Sequence, residues 1–455
     1  MNASNPERAA SGGFWNRALP IFALIVIVGA SRWPFLEPGY GVNLDAWRVA
    51  WMGRAIAETG QYSVSRFPGY PLHEYSAALL YRGGARALNG LSALATIAAV
   101  LLLYRYLKLV NARQAWWCAQ MLAFVPAVYV NSVTAKDYLP ALACVMASMC
   151  LVEQRNAWWG GVLLGVATGF RPASIVLAIP LALLLVRGQS ENRDQLRSLA
   201  KFASCALVVA ALAFVPVVHR YGWEFLRAYP HEEPWQYGLQ NATTGFLGVL
   251  GCVGLVVLVL AAAFWRQRGE TVSRDHTMAW TIGVVVSLAV FVAIPHQAGY
   301  LIPAAVFLIL LAQQWAPPWS LWVFGACLIV ASFVDVRPDR IGPGAILADH
   351  ERRFRQIAET ENFVSQAERL PGRIAFVVGG QHALVAVLHP DLIAHGEHRY
   401  VYLLDRREAE ELTRQGYAIV CSEQVRRANI IFHEVDLNEF GATIYDAPSP
   451  GAGNR

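Results

Sequence analysis

Apolar residues run along this chain in long blocks, not in the alternating or three-to-four spacing of half-buried strands and helices. Blocks such as 19–31, 91–103, 205–218, 246–264 and 281–295, with their flanks, approach the ~20 residues that carry a helix across ~30 Å of hydrocarbon. Hydropathy predicts about eleven spans, near 19–36, 89–107, 115–132, 138–152, 157–170, 172–187, 202–218, 243–265, 278–295, 299–314 and 319–335. The pattern changes after 336. Segment 345–369 carries charged residues at helical spacing, and short β-branched or aromatic runs follow at Ile374–Val378, Tyr400–Leu404, Tyr417–Val420 and Ile430–Val435. The expected organisation is therefore a polytopic α-helical membrane domain over 1–336 and a small α/β domain over 337–455. Gly379-Gly380 follows a predicted strand, but without GxGxxG it reads as a plain strand-to-helix turn.

Composition agrees with lipid as solvent. Of the 455 residues 56% are hydrophobic and only 15% charged, against about a quarter charged in a soluble domain. The net charge of +5 comes almost wholly from arginine, with Lys108, Lys136 and Lys201 the lysines. No basic stripe with interleaved aromatics is present, so nucleic acid is not an expected partner. The seven cysteines form neither a disulfide framework nor a CxxC metal site.

Loop charge sets the expected orientation. With the N-terminus cytoplasmic and the first span uncleaved, Arg105, Lys108, Arg113, Arg155, Arg187, Arg193, Arg197, Lys201, Arg266, Arg268 and Arg274 fall in short cytoplasmic connections, as the positive-inside rule requires. The arginine-rich loop after the first span is the exception. An odd number of spans then places 337–455 outside, periplasmic if the membrane is a bacterial inner membrane.

Candidate chemistry concentrates in the outer connections. A loop of about fifty residues, 37–88, is too long to be punctuation. Its stretch Leu44–Thr59 is amphipathic and predicts a helix on the membrane surface, ended by Gly60 and followed by the rigid turn Phe67-Pro68-Gly69-Tyr70-Pro71. Asp45 stands just past the first span. Two readings are open for it: a first-turn acid favoured by the helix dipole, or a carboxylate at the depth of a lipid headgroup. Arg171 before Pro172 is either a snorkelling span end or a functional cation, since an arginine between apolar spans is expensive. Arg220 beside Tyr221 and Trp223 reads as an interface anchor or a phosphate contact. Lys136-Asp137 is a solvated turn or part of a site, and His73, Glu74, His296 and Tyr300 are further candidates. The aromatic loop 219–241 suits an interface belt or stacking on a sugar.

The order Asp45-x-x-Arg-x-Ala, Gly60-x-Tyr, Arg66-Phe-Pro-Gly-Tyr-Pro-Leu, then Gly169-Phe-Arg171-Pro172 and His296-Gln-Ala-Gly-Tyr300-Leu-Ile-Pro303 resembles the GT-C class of integral-membrane glycosyltransferases. These include the protein mannosyltransferases and the aminoarabinose transferases of lipid A. The resemblance covers most of 15–335. It implies a GT-C-like fold, a polyprenyl-phosphate sugar as donor, Asp45 as catalytic base and a C-terminal domain on the same outer side. Two departures stand out. The later motif of the class usually reads Arg-Tyr-Leu-x-Pro, and here Gly299 stands at the arginine position. The first-loop acid is often followed by a second acid, whereas Ala46 follows Asp45.

The chemistry fits the residue types. A phosphate-linked sugar has a good leaving group, so one carboxylate acting as general base on the acceptor hydroxyl suffices, while arginine suits the charge growing on the phosphate. Arg171, Arg66 and Arg220 are the expected phosphate contacts. A single displacement inverts the anomeric centre. No cofactor is expected: His73, Glu74 and Asp45 match no defined metal spacing, although relatives with diphosphate donors use a metal. The acceptor class, glycan, lipid or protein, is open. The rival function is a transporter or flippase of lipid-linked sugars, which places ionisable groups mid-membrane and often shows inverted repeats. A catalytically dead scaffold is a third option.

Overall fold

A computed structural model describes residues 6–189, 191–223, 235–265, 273–295, 297–337 and 339–444. Helices dominate: α1 (Pro6–Arg32), α2 (Leu44–Thr59), α3 (Pro71–Leu80), α4 (Gly84–Leu109), α5 (Ala115–Ala123), α6 (Pro126–Asn131), α7 (Tyr138–Glu153), α8 (Ala157–Phe170), α9 (Ala178–Val186), α10 (Asn192–Tyr221), α11 (Trp235–Ala242), α12 (Thr244–Phe264), α13 (Arg274–Ala293), α14 (Ile302–Trp315) and α15 (Pro318–Phe333). Each apolar segment expected to span falls on helix. Among the described residues six helices are long and apolar enough to cross a membrane, and the other segments are shorter or broken. The segment 115–132 breaks because Pro126 opens a new helix after Phe124-Val125, so α5 and α6 do not fuse. The amphipathic stretch after the first span is α2, as its spacing predicts.

The chain divides into two units, one of 1–40 with 52–351 and one of 41–51 with 352–455. In the first, α8 packs on α10 and α7, α4 on α7, α12 on α15 and α13 on α14. The closeness of α8 to α10 has a cause in sequence. A Cβ on Gly161 would stand 2.3 Å from the carbonyl oxygen of Phe202, and one on Gly165 2.8 Å from that of Ala206. Small residues four apart let the two backbones touch, which is how helices associate where lipid removes the hydrophobic drive between them. Large apolar side chains such as Phe22, Leu212, Val256 and Val292 face outward, as a hydrocarbon solvent allows.

The second unit holds a parallel sheet of β3 (Ile374–Val377), β4 (Arg399–Val401), β5 (Ala418–Cys421) and β6 (Thr443–Ile444), in the order β4-β3-β5-β6. A separate antiparallel pair, β1 (Val334–Arg337) with β2 (Arg340–Pro343), ends the first unit. Helices α16 (Ala345–Ala367), α17 (His382–Leu388), α18 (Pro390–His395), α19 (Arg406–Arg414) and α20 (Glu423–His433) complete the chain. Strand β3 is buried throughout. Its residues alternate between faces, Phe376 joining Val364, Val385 and Tyr400, and Val377 joining Leu404, Ile419 and Leu437. The run Ile430–Val435, expected as a strand, lies mostly in α20 instead. Ser422 caps that helix, and Glu423 pairs with Arg426 and Arg427 one turn on, so helical pairing overrides β-branched content.

Candidate active site

The backbone between α6 and α7 is fixed by its neighbours. Ser92 Oγ donates to Thr134 O at 2.6 Å, and the Ala135 N–H donates to Tyr40 O at 2.9 Å. This turn delivers Asp137, wholly buried, to the head of α7. An acid there normally caps the helix, yet the Asp137 side chain caps no N–H. Its carboxylate is committed to two arginines: Arg66 Nη2 donates to Oδ1 at 2.9 Å, and Arg171 Nη1 donates to Oδ2. Burial alone would push the Asp137 carboxyl up, but Arg171 first, then Arg66 and His73, outweigh it and hold the group well below the usual carboxylate range.

Arg171 lies between α8 and the short helical turn Pro172–Leu177, in the extended conformation that a following proline favours. Its guanidinium lies over two tyrosine rings, 3.7 Å from the Tyr138 centroid and 4.2 Å from that of Tyr300. Its Nη2 is buried and finds no acceptor among the described residues. Arg66 stacks on Tyr70 at 4.0 Å. Lys136 Nζ reaches Gln297 Oε1 at 3.4 Å, and Tyr138 Oη donates to the same oxygen at 2.7 Å. Two arginines thus meet one carboxylate. Arg171, Tyr138, Tyr300 and Ser174 also line a cleft of about 440 Å³, open mouth included, whose remaining walls are apolar apart from Ser287, among them Leu142 and Val290.

Other expected residues are placed differently. Glu74 is buried and fully engaged, accepting from Tyr62 Oη, from Ser65 N–H and Oγ at 2.6 Å each, and from Tyr70 N–H at 3.2 Å. It braces the turn that carries Arg66. Buried His73 has Nε2 3.4 Å from Ala135 O, while its Nδ1 has no partner among the described residues. Arg220 is exposed and donates to Gln61 Oε1 at 3.0 Å. His296 and residues 224–234 of the aromatic loop lie outside the described residues. Tyr221, at that loop's start, accepts from the Val64 N–H at 3.1 Å. Among the described residues no group of three or more His, Cys, Asp or Glu side chains is arranged to hold a metal.

Gly299, where the GT-C pattern leads to an expected arginine, faces Tyr138. A Cβ there would stand 2.5 Å from Tyr138 Cζ. The space is filled by the ring that stacks on Arg171, so a side chain at 299 and Tyr138 in this position exclude one another. Tyr138, Tyr70 and Gln297 are the site residues that sequence reading missed. The signal for Tyr138 is its place beside Lys136-Asp137, but a tyrosine opening an apolar run reads first as an interface anchor.

Asp45 belongs to the other unit. It sits in the first turn of α2, where its N–H donates to Asn43 Oδ1 at 2.9 Å. Asn43 therefore caps the helix, and Arg48 Nη1 is 3.8 Å from Asp45 Oδ1. The Asp45 side chain is 15% exposed.

Comparison with known proteins adds the following. The model of glycosyltransferase family 87 matches residues 70–295, just under half of the chain. No curated protein matches by sequence. Among solved structures, ArnT from Cupriavidus metallidurans bound to undecaprenyl phosphate is similar in fold, with a TM-score of 0.57 and 16% identity over 92% of this chain and 95% of that one. The same protein in the apo state gives a TM-score of 0.57 at 15% identity, over 93% and 95%.

Proposed function

Starting from a chain that is a membrane glycosyltransferase of GT-C-like fold, we propose that it moves a sugar from a polyprenyl-phosphate donor to an acceptor on the non-cytoplasmic side of the inner membrane. The N-terminus is then cytoplasmic and the α/β unit outside. Arg171 carries this reading: a buried guanidinium with an unmatched Nη2, held between two tyrosines at the end of an apolar cleft. A buried orphan donor is costly unless something completes it, and a phosphate offers the planar pair of oxygens that a guanidinium fork fits. The apolar walls suit an isoprenoid tail. The excess of cations over Asp137 suits a phosphate that gains charge as it leaves.

In the transfer step the acceptor oxygen attacks the anomeric carbon, and its proton passes to the Asp45 carboxylate. The bond from that carbon to the phosphate oxygen breaks, and its electron pair leaves with polyprenyl phosphate. One displacement inverts the anomeric centre. Arg171 and Arg66 bind and orient the phosphate, and Asp137 holds both guanidinium planes in place. No metal is required by this reading. The acceptor is a glycan, lipid or protein presented on the outer side.

The test reconstitutes the full chain in liposomes with polyprenyl-phosphate sugars of several classes and an envelope extract as acceptor, and measures both free polyprenyl phosphate and the sidedness of the lipid-linked sugar. Release of polyprenyl phosphate with incorporation of sugar is expected. Movement of intact lipid-linked sugar between leaflets without release would replace this reading by the flippase.

A further inference from the structure

Open parallel sheets take their ligands at the carboxyl ends of the strands, where the connections to the following helices leave a crevice. In the sheet β4-β3-β5-β6 that edge carries the turn Gly379-Gly380 after β3, then His382 at the start of α17, and Tyr402 directly after β4. Part of this edge is covered by the chain's own first loop. Leu44 lies against Gly380 so closely that a Cβ there would stand 2.2 Å from Leu44 Cδ1. The Arg48 guanidinium lies over the Tyr402 ring at 5.1 Å. Trp51 meets the His382 ring edge-on at 4.9 Å between centroids. Just before the helix, Val42 O accepts from Gln356 Nε2 at 3.4 Å.

Residues 44, 48 and 51 are spaced i, i+4 and i+7, which places them in one stripe along α2. Asp45, one residue on from Leu44, is rotated about 100° around the helix axis, off that stripe. The stripe therefore fixes the rotation of the turn that presents the Asp45 carboxylate, while Arg48 joins both contacts, stacked on Tyr402 and 3.8 Å from Asp45 Oδ1.

We propose that the C-terminal α/β unit is a positioning device, whose strand-end edge, through Gly380, His382 and Tyr402, docks the 44–48–51 stripe of α2 and sets the aim of Asp45. The inference deepens the reading of Asp45 as base and rests on it. Gly380, His382 and Tyr402 are positioning residues: they touch neither sugar nor phosphate and act through the helix. A sheet edge that elsewhere binds a ligand here binds a piece of its own chain.

Two readouts on the full-length protein in lipid test it: hydrogen exchange of the amides of 44–51, which needs no activity, and steady-state transfer. Gly380→Val inserts a branched side chain against Leu44. It is expected to speed exchange over 44–51 and to lower kcat by ~10–10²-fold, the scale of a misplaced catalytic group, with donor KM within about twofold. Removing the clash in Leu44→Ala/Gly380→Val should restore most of both, a rescue that general unfolding would not show. Tyr402→Ala should act in the same direction, more weakly. Unchanged exchange in Gly380→Val overturns the docking. Faster exchange with wild-type kcat overturns the positioning role. An active Asp45→Asn enzyme would instead remove the base assignment, and the exchange result would still decide whether the sheet edge holds the helix.

Discussion

The two ends of α7 and α8 carry buried ionic clusters of the same residue types, and they are built differently. At one end Asp137 receives Arg66 and Arg171. At the other, about 24 Å along α7 at 1.5 Å per residue, Glu153 receives both terminal nitrogens of Arg187, at 3.1 and 2.8 Å, with His276 Nε2 at 3.1 Å from the same carboxylate. His276 Nδ1 is met by Ser273 Oγ at 2.9 Å, and Arg155 donates to the carbonyls of Leu185 and Arg187. Each charged group of the Glu153 cluster has its partner, Arg187 and His276 the carboxylate and Arg155 two carbonyls. The Asp137 cluster has an orphan nitrogen on Arg171 and a largely apolar cleft beside it. A closed cluster ties α7, α9 and α13 together. An open one is arranged for something that brings negative charge.

That contrast is most exposed at its arginines. Arg171→Lys keeps the charge and loses the fork, and is expected to cut transfer by ~10²-fold or more, with weaker binding of polyprenyl phosphate. Arg187→Lys, the same exchange at the closed end, is expected to leave transfer per folded molecule within about threefold. Steady-state assays on both variants in liposomes make the comparison, and equal losses would erase the distinction. Arg66→Lys should cost about tenfold, less than Arg171→Lys, because Arg171 lines the cleft and Arg66 is not among its lining residues.

The closed end should show itself in stability. Glu153→Gln leaves Arg187 and His276 without their carboxylate and is expected to cost ~1–3 kcal/mol, read as a lower Tm, with transfer at 25 °C within about twofold of wild type. A large loss of activity without a fall in Tm would move the chemistry to that end. The smallest expected effect concerns pH. Asp137 has a folded-state pKa below its ordinary value, so the stability it contributes is present above that ordinary value, near 4, and is lost only as pH falls through the depressed one. Between pH 8 and 5 polyprenyl phosphate binding should therefore show no titration traceable to Asp137. A fall in affinity over that range that disappears in Asp137→Asn contradicts the assignment.

Much of this was legible in the sequence. Block hydropathy located the helices, because a helix in lipid must be apolar on most sides. An arginine between two apolar runs flagged Arg171 by its cost alone. The cluster itself was not legible. Arg66, Asp137 and Arg171 are joined only by tertiary packing across 71 and 34 residues, and no local period records that. Asp137 read first as a solvated turn beside Lys136. Glu74 looked like a candidate from its position after the Pro-Gly-Tyr-Pro turn, yet its four hydrogen bonds make it a brace. Ile430–Val435 misled because β-branched content was weighed above the cap at Ser422 and the Glu423 pairs.

The central claim, sugar transfer with a single carboxylate as base, comes down to Asp45. Asn43 caps α2, so the helix end does not depend on the Asp45 side chain as its cap. Asp45→Asn is nearly isosteric and keeps the hydrogen-bonding capacity of the first turn. Measured in purified, donor-loaded membranes alongside Asp45→Ala, it is expected to retain wild-type Tm and donor binding while losing the ~10²–10⁴-fold in transfer typical of a missing general base. An Asp45→Asn protein that transfers sugar at the wild-type rate, with only Asp45→Ala impaired and less stable, would show a helix-end acid and contradict the mechanism.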